Sequence, residues 1–255
     1  MSDPLPFFTI GDGPPLVVLM FTPDAANPTG LARWSATRMV RPFARHFTVH
    51  VVNRPAGLPA NITMTRLAQV YADGLATMFD HPVPVLAIST GASIALQLAA
   101  DHDNLVERMV LGGTAHTLGP IGKHAQRNYI ERATAGRRPS PALATVVTAS
   151  TVGQRLISGL LWLSDGRKDR TDAVAVLNAE DGFDLCDRLS DVTAPTLIIQ
   201  GERDRVYPIE FARRTAEGIP GARLVVYSGI SHSGTFTDKR FARDALAFLV
   251  DDAVI

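Results

Sequence analysis

Residues 85–100 read VLAISTGASIALQLAA, from Val85 to Ala100. The first four, Val85, Leu86, Ala87 and Ile88, form a short continuous apolar run, the pattern of a strand buried on both faces. From Ala92 to Ala100 the residues are small or apolar nearly all round, which predicts a helix packed into a core. Strand and helix meet at Ser89-Thr90-Gly91, and a buried strand turning straight into a buried helix is the unit of a parallel sheet covered by helices. Ala87 to Gly91 also has the form small-x-Ser-x-small. Bulky neighbours would collide at so tight a turn, so the Ser89 hydroxyl projects from the carboxyl edge of the sheet, over the N–H groups and positive dipole of the next helix. Such a serine can be a nucleophile.

The alternation extends outward in both directions. Apolar strands are predicted at 16–20 (LVVLM), after a hairpin or loop at Gly11-Asp12-Gly13-Pro14-Pro15, and at 47–52, ended by Asn53-Arg54-Pro55-Ala56-Gly57. Further strands follow at 106–111, 196–200 and 224–227. Met64, Leu67, Tyr71, Leu75 and Met78 recur at helical spacing behind a Thr63 cap. Helices are also predicted at 209–217, stopped by Gly218 and Pro220, and at 238–250, with Phe241, Ala245, Phe248 and Leu249 on one side. The fold class is therefore α/β, a mostly parallel sheet with helices on both faces. Only 114–191 breaks the rhythm, being far too long for an ordinary connection. It reads as an inserted helical cap, with helices at 151–163 and 172–177 and a solvated loop at 166–170.

Two more strand ends carry chemistry. The strand at 196–200 runs into Gly201-Glu202-Arg203-Asp204-Arg205-Val206-Tyr207-Pro208, so Asp204 can orient a base; the strand at 224–227 runs into a loop of small residues that gives the His232 ring room to move, so His232 can be that base. The order Ser89, Asp204, His232 is one of the three chain orders in which a serine triad occurs.

Composition narrows the partners. Lys plus Arg and Asp plus Glu number 25 each, leaving no global field to hold nucleic acid or an anionic surface. An apolar share of 46% over 255 residues can bury a substantial core. Cys186, the only cysteine, cannot close an internal disulfide, and the histidines fall at no zinc-ligand spacing. Gly11-x-Gly13 precedes its strand, with Leu16 at the third glycine position, so the dinucleotide fingerprint fails as well. No metal and no cofactor are implied. Residues 1–8 contain Asp3, Pro4 and Pro6 in place of a basic segment and apolar run, and no stretch approaches roughly 18 consecutive apolar residues. The expectation is a cytoplasmic protein without membrane insertion or nucleic-acid partner, acting on a small molecule with an apolar portion.

Taken together, LVVLM at 16–20, LAISTGAS at 86–93, APTLIIQGERDRVYP at 194–208 and GISHSG at 229–234 resemble the α/β-hydrolase superfamily over nearly the whole chain. The resemblance implies an eight-stranded, mostly parallel sheet with a lid inserted after its sixth strand, matched here to 106–111. The core would then be 1–113 and 192–255, and the cap 114–191. It also implies an ester, thioester or related acyl substrate, cleaved through an acyl-enzyme by Ser89, His232 and Asp204. Alternatives on the same triad are carbon–carbon bond hydrolysis, a lyase reaction or cofactor-free perhydrolysis, and outside catalysis a ligand-binding member of the fold. Glu202 and Asp191 lie near Asp204 but do not match the family position of the acid, and 112–116 offers no carboxylate. Thr90, directly after the nucleophile, supplies one oxyanion N–H. Where relatives carry His-Gly this chain has Met20-Phe21, then Thr22-Pro23; proline has no N–H, which leaves Thr22 as the other donor, ahead of Phe21. Phe21, His116, Leu160 and Trp162 are the candidate pocket residues; His116 reads at least as well as a hydrogen-bonded structural histidine under the cap, and Trp162 with its neighbouring leucines more often means cap packing, though in a lid the same residues can serve both.

Overall fold

Alternate residues of the central strands enter two separate cores, which is why those strands read as continuous apolar runs. The computed structural model describes residues 5–21, 27–137, 146 and 170–250. Its strands are β1 (Phe7–Ile10), β2 (Pro15–Met20), β3 (Thr48–Val52), β4 (Val83–Ile88), β5 (Val106–Gly112), β6 (Thr196–Gly201) and β7 (Arg223–Tyr227). They form one sheet in the order β1-β3-β2-β4-β5-β6-β7. β1 is antiparallel to β3 and every other pairing is parallel.

The helices are α1 (Gly30–Val40), α2 (Met64–Met78), α3 (Thr90–Asp101), α4 (Pro120–Thr134), α5 (Thr171–Asp181), α6 (Ile209–Gly218), α7 (His232–Thr237) and α8 (Lys239–Leu249). Val17, Leu19, Val85, Ala87, Met109 and Leu111 share one core with residues of α2 and α3. Leu16, Val18, Leu86, Ile88 and Val110 share the other with Phe241 and Phe248 of α8. Such burial on both faces is what a parallel sheet requires. Two helix starts follow the expected capping chemistry: Thr63 Oγ1 accepts from the Arg66 N–H at 3.2 Å, and the Asp238 carboxylate accepts from the Arg240 N–H at 2.9 Å.

The sheet has seven strands among the described residues, one fewer than the resemblance implies, and 106–112 is consequently its fifth strand. The chain from β1 to β2 is a single turn and the chain from β3 to β4 holds α2, so the described residues ahead of β5 form four strands. Nor do β1 and β2 make a hairpin; β3 lies between them, pairing Val49 with Ile10 on one side and Leu16 on the other. α1 and α4 were not legible from periodicity. α1 exposes Leu31 and Trp34 and buries only Ala36 and Val40, while α4 buries Gly122, Ala125, Gln126 and Tyr129, a face without an apolar stripe. Between β5 and β6 the described residues contribute α4, α5, a short 3₁₀ turn at Cys186–Asp191 and one isolated bridge, Thr117 to Asp184. The helix predicted at 151–163 and most of the loop at 166–170 lie outside the described residues.

Parallel register brings the strand ends to one edge. Met20 is opposite Ile88, Ile88 opposite Gly112, and Gly201 opposite Tyr227, so the turns after β4, β5, β6 and β7 open on the same side of the sheet.

Candidate active site

Ser89 is the only non-glycine residue with positive φ among the described residues, at φ 55° and ψ −128°. A side chain in that region is strained, and the surroundings hold it there. Its backbone N–H donates to the Gly112 carbonyl at 2.9 Å, continuing the ladder past the end of β4. Two residues on, a Cβ at Gly91 would stand 2.3 Å from the Leu19 carbonyl oxygen, so only glycine lets the start of α3 lie this close to β2.

The structure brings Ser89, His232 and Asp204 together. Ser89 Oγ is 2.9 Å from His232 Nε2, and His232 Nδ1 is 2.8 Å from Asp204 Oδ2. An ionised carboxylate only accepts, so Nδ1 carries the imidazole proton and Nε2 presents its lone pair to the serine hydroxyl. Asp204 is itself fully engaged. Oδ1 accepts from the N–H groups of Val206 at 2.8 Å and Tyr207 at 3.0 Å, and Oδ2 also accepts from Gln200 Nε2 at 2.9 Å. Gln200 in turn is fixed, donating to the Tyr207 carbonyl and accepting from the Thr114 N–H.

The imidazole is less free than a loop of small residues suggests. His232 opens α7 and is buried, its ring centroid 5.8 Å from that of Tyr207 and 5.6 Å from that of Phe236, the latter in an edge-to-face arrangement. The small residues serve close backbone approach instead: the Arg203 N–H donates to the Ile230 carbonyl at 2.8 Å, joining the acid and histidine loops.

Glu202 stands apart from the triad. Its exposed carboxylate accepts from Ser228 Oγ and the Gly229 N–H, both at 2.7 Å, and the Ser228 bond first, then the Gly229 bond, lower its pKa. Asp191 pairs with Arg188. Thr90 is the first residue of α3, where backbone N–H groups have no intrahelical acceptor. Phe21 lines a narrow cleft with Met20, Arg54, Tyr71, Ile94 and Val176, beside Gly91. Thr22, Leu160 and Trp162 lie outside the described residues.

His116 is buried against α6, with Nδ1 3.2 Å from Thr215 Oγ1 and its ring 5.2 Å from that of Phe211; burial lowers its pKa. Among the described residues one trio of ligand types comes together, His116, Asp184 and Cys186, with candidate ligand atoms within 4.8 Å of one another. The bridge between Thr117 and Asp184 creates that proximity, which sequence spacing does not show. Asp184 already accepts from the Cys186 N–H at 2.9 Å.

The profile described as the alpha/beta hydrolase family matches residues 27–245. The chain belongs to this family. Among similar curated proteins, the pimeloyl-(acyl-carrier protein) methyl ester esterase of Chromobacterium violaceum is 27% identical over 252 residues, covering 94% of this chain and 95% of that one. A 2-hydroxy-6-oxononadienedioate/2-hydroxy-6-oxononatrienedioate hydrolase of Burkholderia vietnamiensis is 27% identical over 200 residues, covering 71% and 67%. An alpha/beta hydrolase enzyme from a Medee basin deep-sea metagenome library superposes with a TM-score of 0.79 at 20% identity, covering 97% and 94%, and so shares the fold.

Two parts of this alpha/beta hydrolase site went unnoticed in the sequence. Tyr207 backs both Asp204 and His232, and Glu180 of α5 reaches the first turn of α3. The sequence signal for Glu180 is weak, since it is one of three acids in 171–181, and Tyr207 shows only as an aromatic residue shortly after Asp204. Among the described residues no helix is long and apolar enough to cross a membrane.

Proposed function

We propose that the protein is a serine hydrolase that cleaves an ester, thioester or related acyl substrate through an acyl-enzyme. The observation that carries this reading is the continuous chain Ser89 Oγ, His232 Nε2, His232 Nδ1, Asp204 Oδ2, with links of 2.9 and 2.8 Å. As Ser89 Oγ attacks the carbonyl carbon, His232 takes its proton; Asp204 holds the tautomer and stabilises the imidazolium. The Thr90 N–H, with that of Thr22 or Phe21, stabilises the oxyanion, and each such donor is worth roughly 10²–10³ in kcat. His232 returns the proton to the leaving group, then activates the water that releases the acid.

Residues 114–191 act in this reading as a cap that selects a small molecule with an apolar portion. The setting is cytoplasmic, which suits a chain with one cysteine. A fluorophosphonate tests the assignment. It will modify Ser89, located by mass mapping, and abolish hydrolysis of p-nitrophenyl acyl esters; modification at Ser231 or Ser233, or none on folded protein, overturns it. A second reading, hydrolysis of a carbon–carbon bond in a diketone, is favoured by the Burkholderia vietnamiensis relative. Product analysis on such a diketone separates the two.

A further inference from the structure

Glu180 lies on α5, far from the triad in sequence, yet its side chain is 1% exposed and ends beside the nucleophile turn. Thr90 Oγ1 donates to Oε2 at 3.0 Å, and Ser93 Oγ to Oε1 at 3.0 Å. The Tyr207 hydroxyl donates to Oε1 at 2.5 Å. Thr90 directly follows the nucleophile and, with Ser93, lies in the first turn of α3. Tyr207 belongs to the loop behind Asp204; its N–H bonds Asp204 and its ring faces that of His232. A single carboxyl group thus touches both the residue after the nucleophile and the residue whose tilted ring lies beside the base.

We infer that Glu180 is a positioning residue for this site, its buried carboxyl group tying the first turn of α3 to the loop that presents Asp204. The inference rests on the reading of Ser89 as nucleophile. Burial of a carboxyl group is costly, and here three hydroxyl donors offset that cost; an apolar side chain at this position alone would leave those buried hydroxyls without their acceptor. The group sits where small displacements matter most, between the Thr90 turn and the base, since a shift near 1 Å can cost about 10² in rate. Hydroxyl donors suit that task. Thr90 and Ser93 are short side chains on the first turn of α3 and Tyr207 ends in a rigid ring, so the three bonds limit how far α3 and the Asp204 loop can shift relative to one another. Burial raises the pKa of Glu180, while the hydroxyls of Tyr207, Thr90 and Ser93 act in the opposite direction. The same burial, with Glu180 beside it, lifts the Tyr207 phenol well above its ordinary value, so Tyr207 keeps the proton it donates.

The test uses Glu180→Leu, Glu180→Gln, Tyr207→Phe and Thr90→Val in the full chain, with Ser89→Ala as control. For each, the readouts are Tm, kcat and KM for p-nitrophenyl butyrate, and the rate at which a fluorophosphonate labels Ser89. Glu180→Leu will lower Tm, because three buried hydroxyls lose their acceptor, yet at a temperature well below that Tm its kcat will fall roughly ten- to hundredfold at little-changed KM, with labelling slowed in parallel. Glu180→Gln will recover most of the loss, because its amide oxygen accepts from two hydroxyls and its N–H₂ donates to a third that has rotated. Full kcat and labelling in Glu180→Leu, or losses in Leu and Gln variants alike that merely follow a falling Tm, overturn the inference. If Glu180→Leu does not fold, Tyr207→Phe and Thr90→Val decide: each removes one hydroxyl at nearly constant volume, and wild-type kcat in both overturns it. Ser89→Ala separates the two levels. Wild-type turnover there defeats the nucleophile assignment itself, whereas lost turnover there with full activity in Glu180→Leu defeats only the role of Glu180.

Discussion

Gly113 forms the wall against which the His232 ring rests: a Cβ on Gly113 would stand 3.3 Å from both Cε1 and Nδ1 of the imidazole. Gly113 also has φ +63°, where an L side chain is strained. The turn after β5 therefore contributes to the site by carrying no side chain at all, which leaves room for the ring between Tyr207 and Phe236.

Gly113→Ala follows directly. The left-handed backbone alone costs about 1–2 kcal/mol with a Cβ present, and the methyl group presses on the ring atoms nearest Asp204. We expect a lower Tm together with a fall in kcat larger than the Tm change accounts for, read by thermal melts and steady-state kinetics. Unchanged kcat would show that the ring position tolerates the push.

Asp204→Asn tests the tautomer. Asp204 accepts four hydrogen bonds, from Val206, Tyr207, Gln200 and His232, and an asparagine must turn its N–H₂ group toward one pair of those donors. In serine proteases the equivalent change lowers kcat by about 10⁴, and a loss of that kind is expected here with the fold retained. Glu202→Gln removes only exposed contacts to Ser228 and Gly229 and will leave kcat near wild type. Equal damage from the two variants would move the acid to Glu202.

Strain at Ser89 predicts an inverted stability order. Alanine ordinarily stabilises relative to glycine by about 0.4–1 kcal/mol through the unfolded chain. At φ 55° that order reverses, so Ser89→Gly will unfold at higher urea than Ser89→Ala, while both lose hydrolysis. If alanine proves the more stable of the two, the turn carries no stored strain.

Asp238 gives a pH signature remote from the chemistry. Its bond to the Arg240 side chain, then the Arg240 N–H, holds its pKa at about 2 against an ordinary 3.8. Because the folded value is the lower one, the stabilisation is present above the ordinary value and fades as pH falls from about 4 toward 2. As the cap of α8, Asp238 contributes about 1 kcal/mol relative to alanine. Urea unfolding of Asp238→Ala will therefore differ from wild type at pH 6, with the gap closing on acidification. A gap constant down to pH 2 would mean that the carboxylate charge is not what stabilises the cap.

Local reading carried much of this molecule. The apolar runs marked β2 to β7 within a residue or two, because the central strands are buried on nearly every position and even the outer β3 and β7 keep a mostly apolar run. Ser89, Asp204 and His232 were legible because each falls in a short turn just after such a run, and parallel strands put all those turns at one edge. What sequence could not supply was anything built from distant segments without a period of its own. α1 and α4 bury too little apolar surface to show a stripe, and the strand order at this edge depends on β1 pairing with β3 rather than β2. The confinement of His232 between Tyr207, Phe236 and Gly113, and the approach of Glu180 to Thr90, Ser93 and Tyr207, arise only when loops and helices far apart in the chain pack together. A carboxyl group becomes part of a site through the low-dielectric surroundings and the donors it meets there, and those are properties of the tertiary structure.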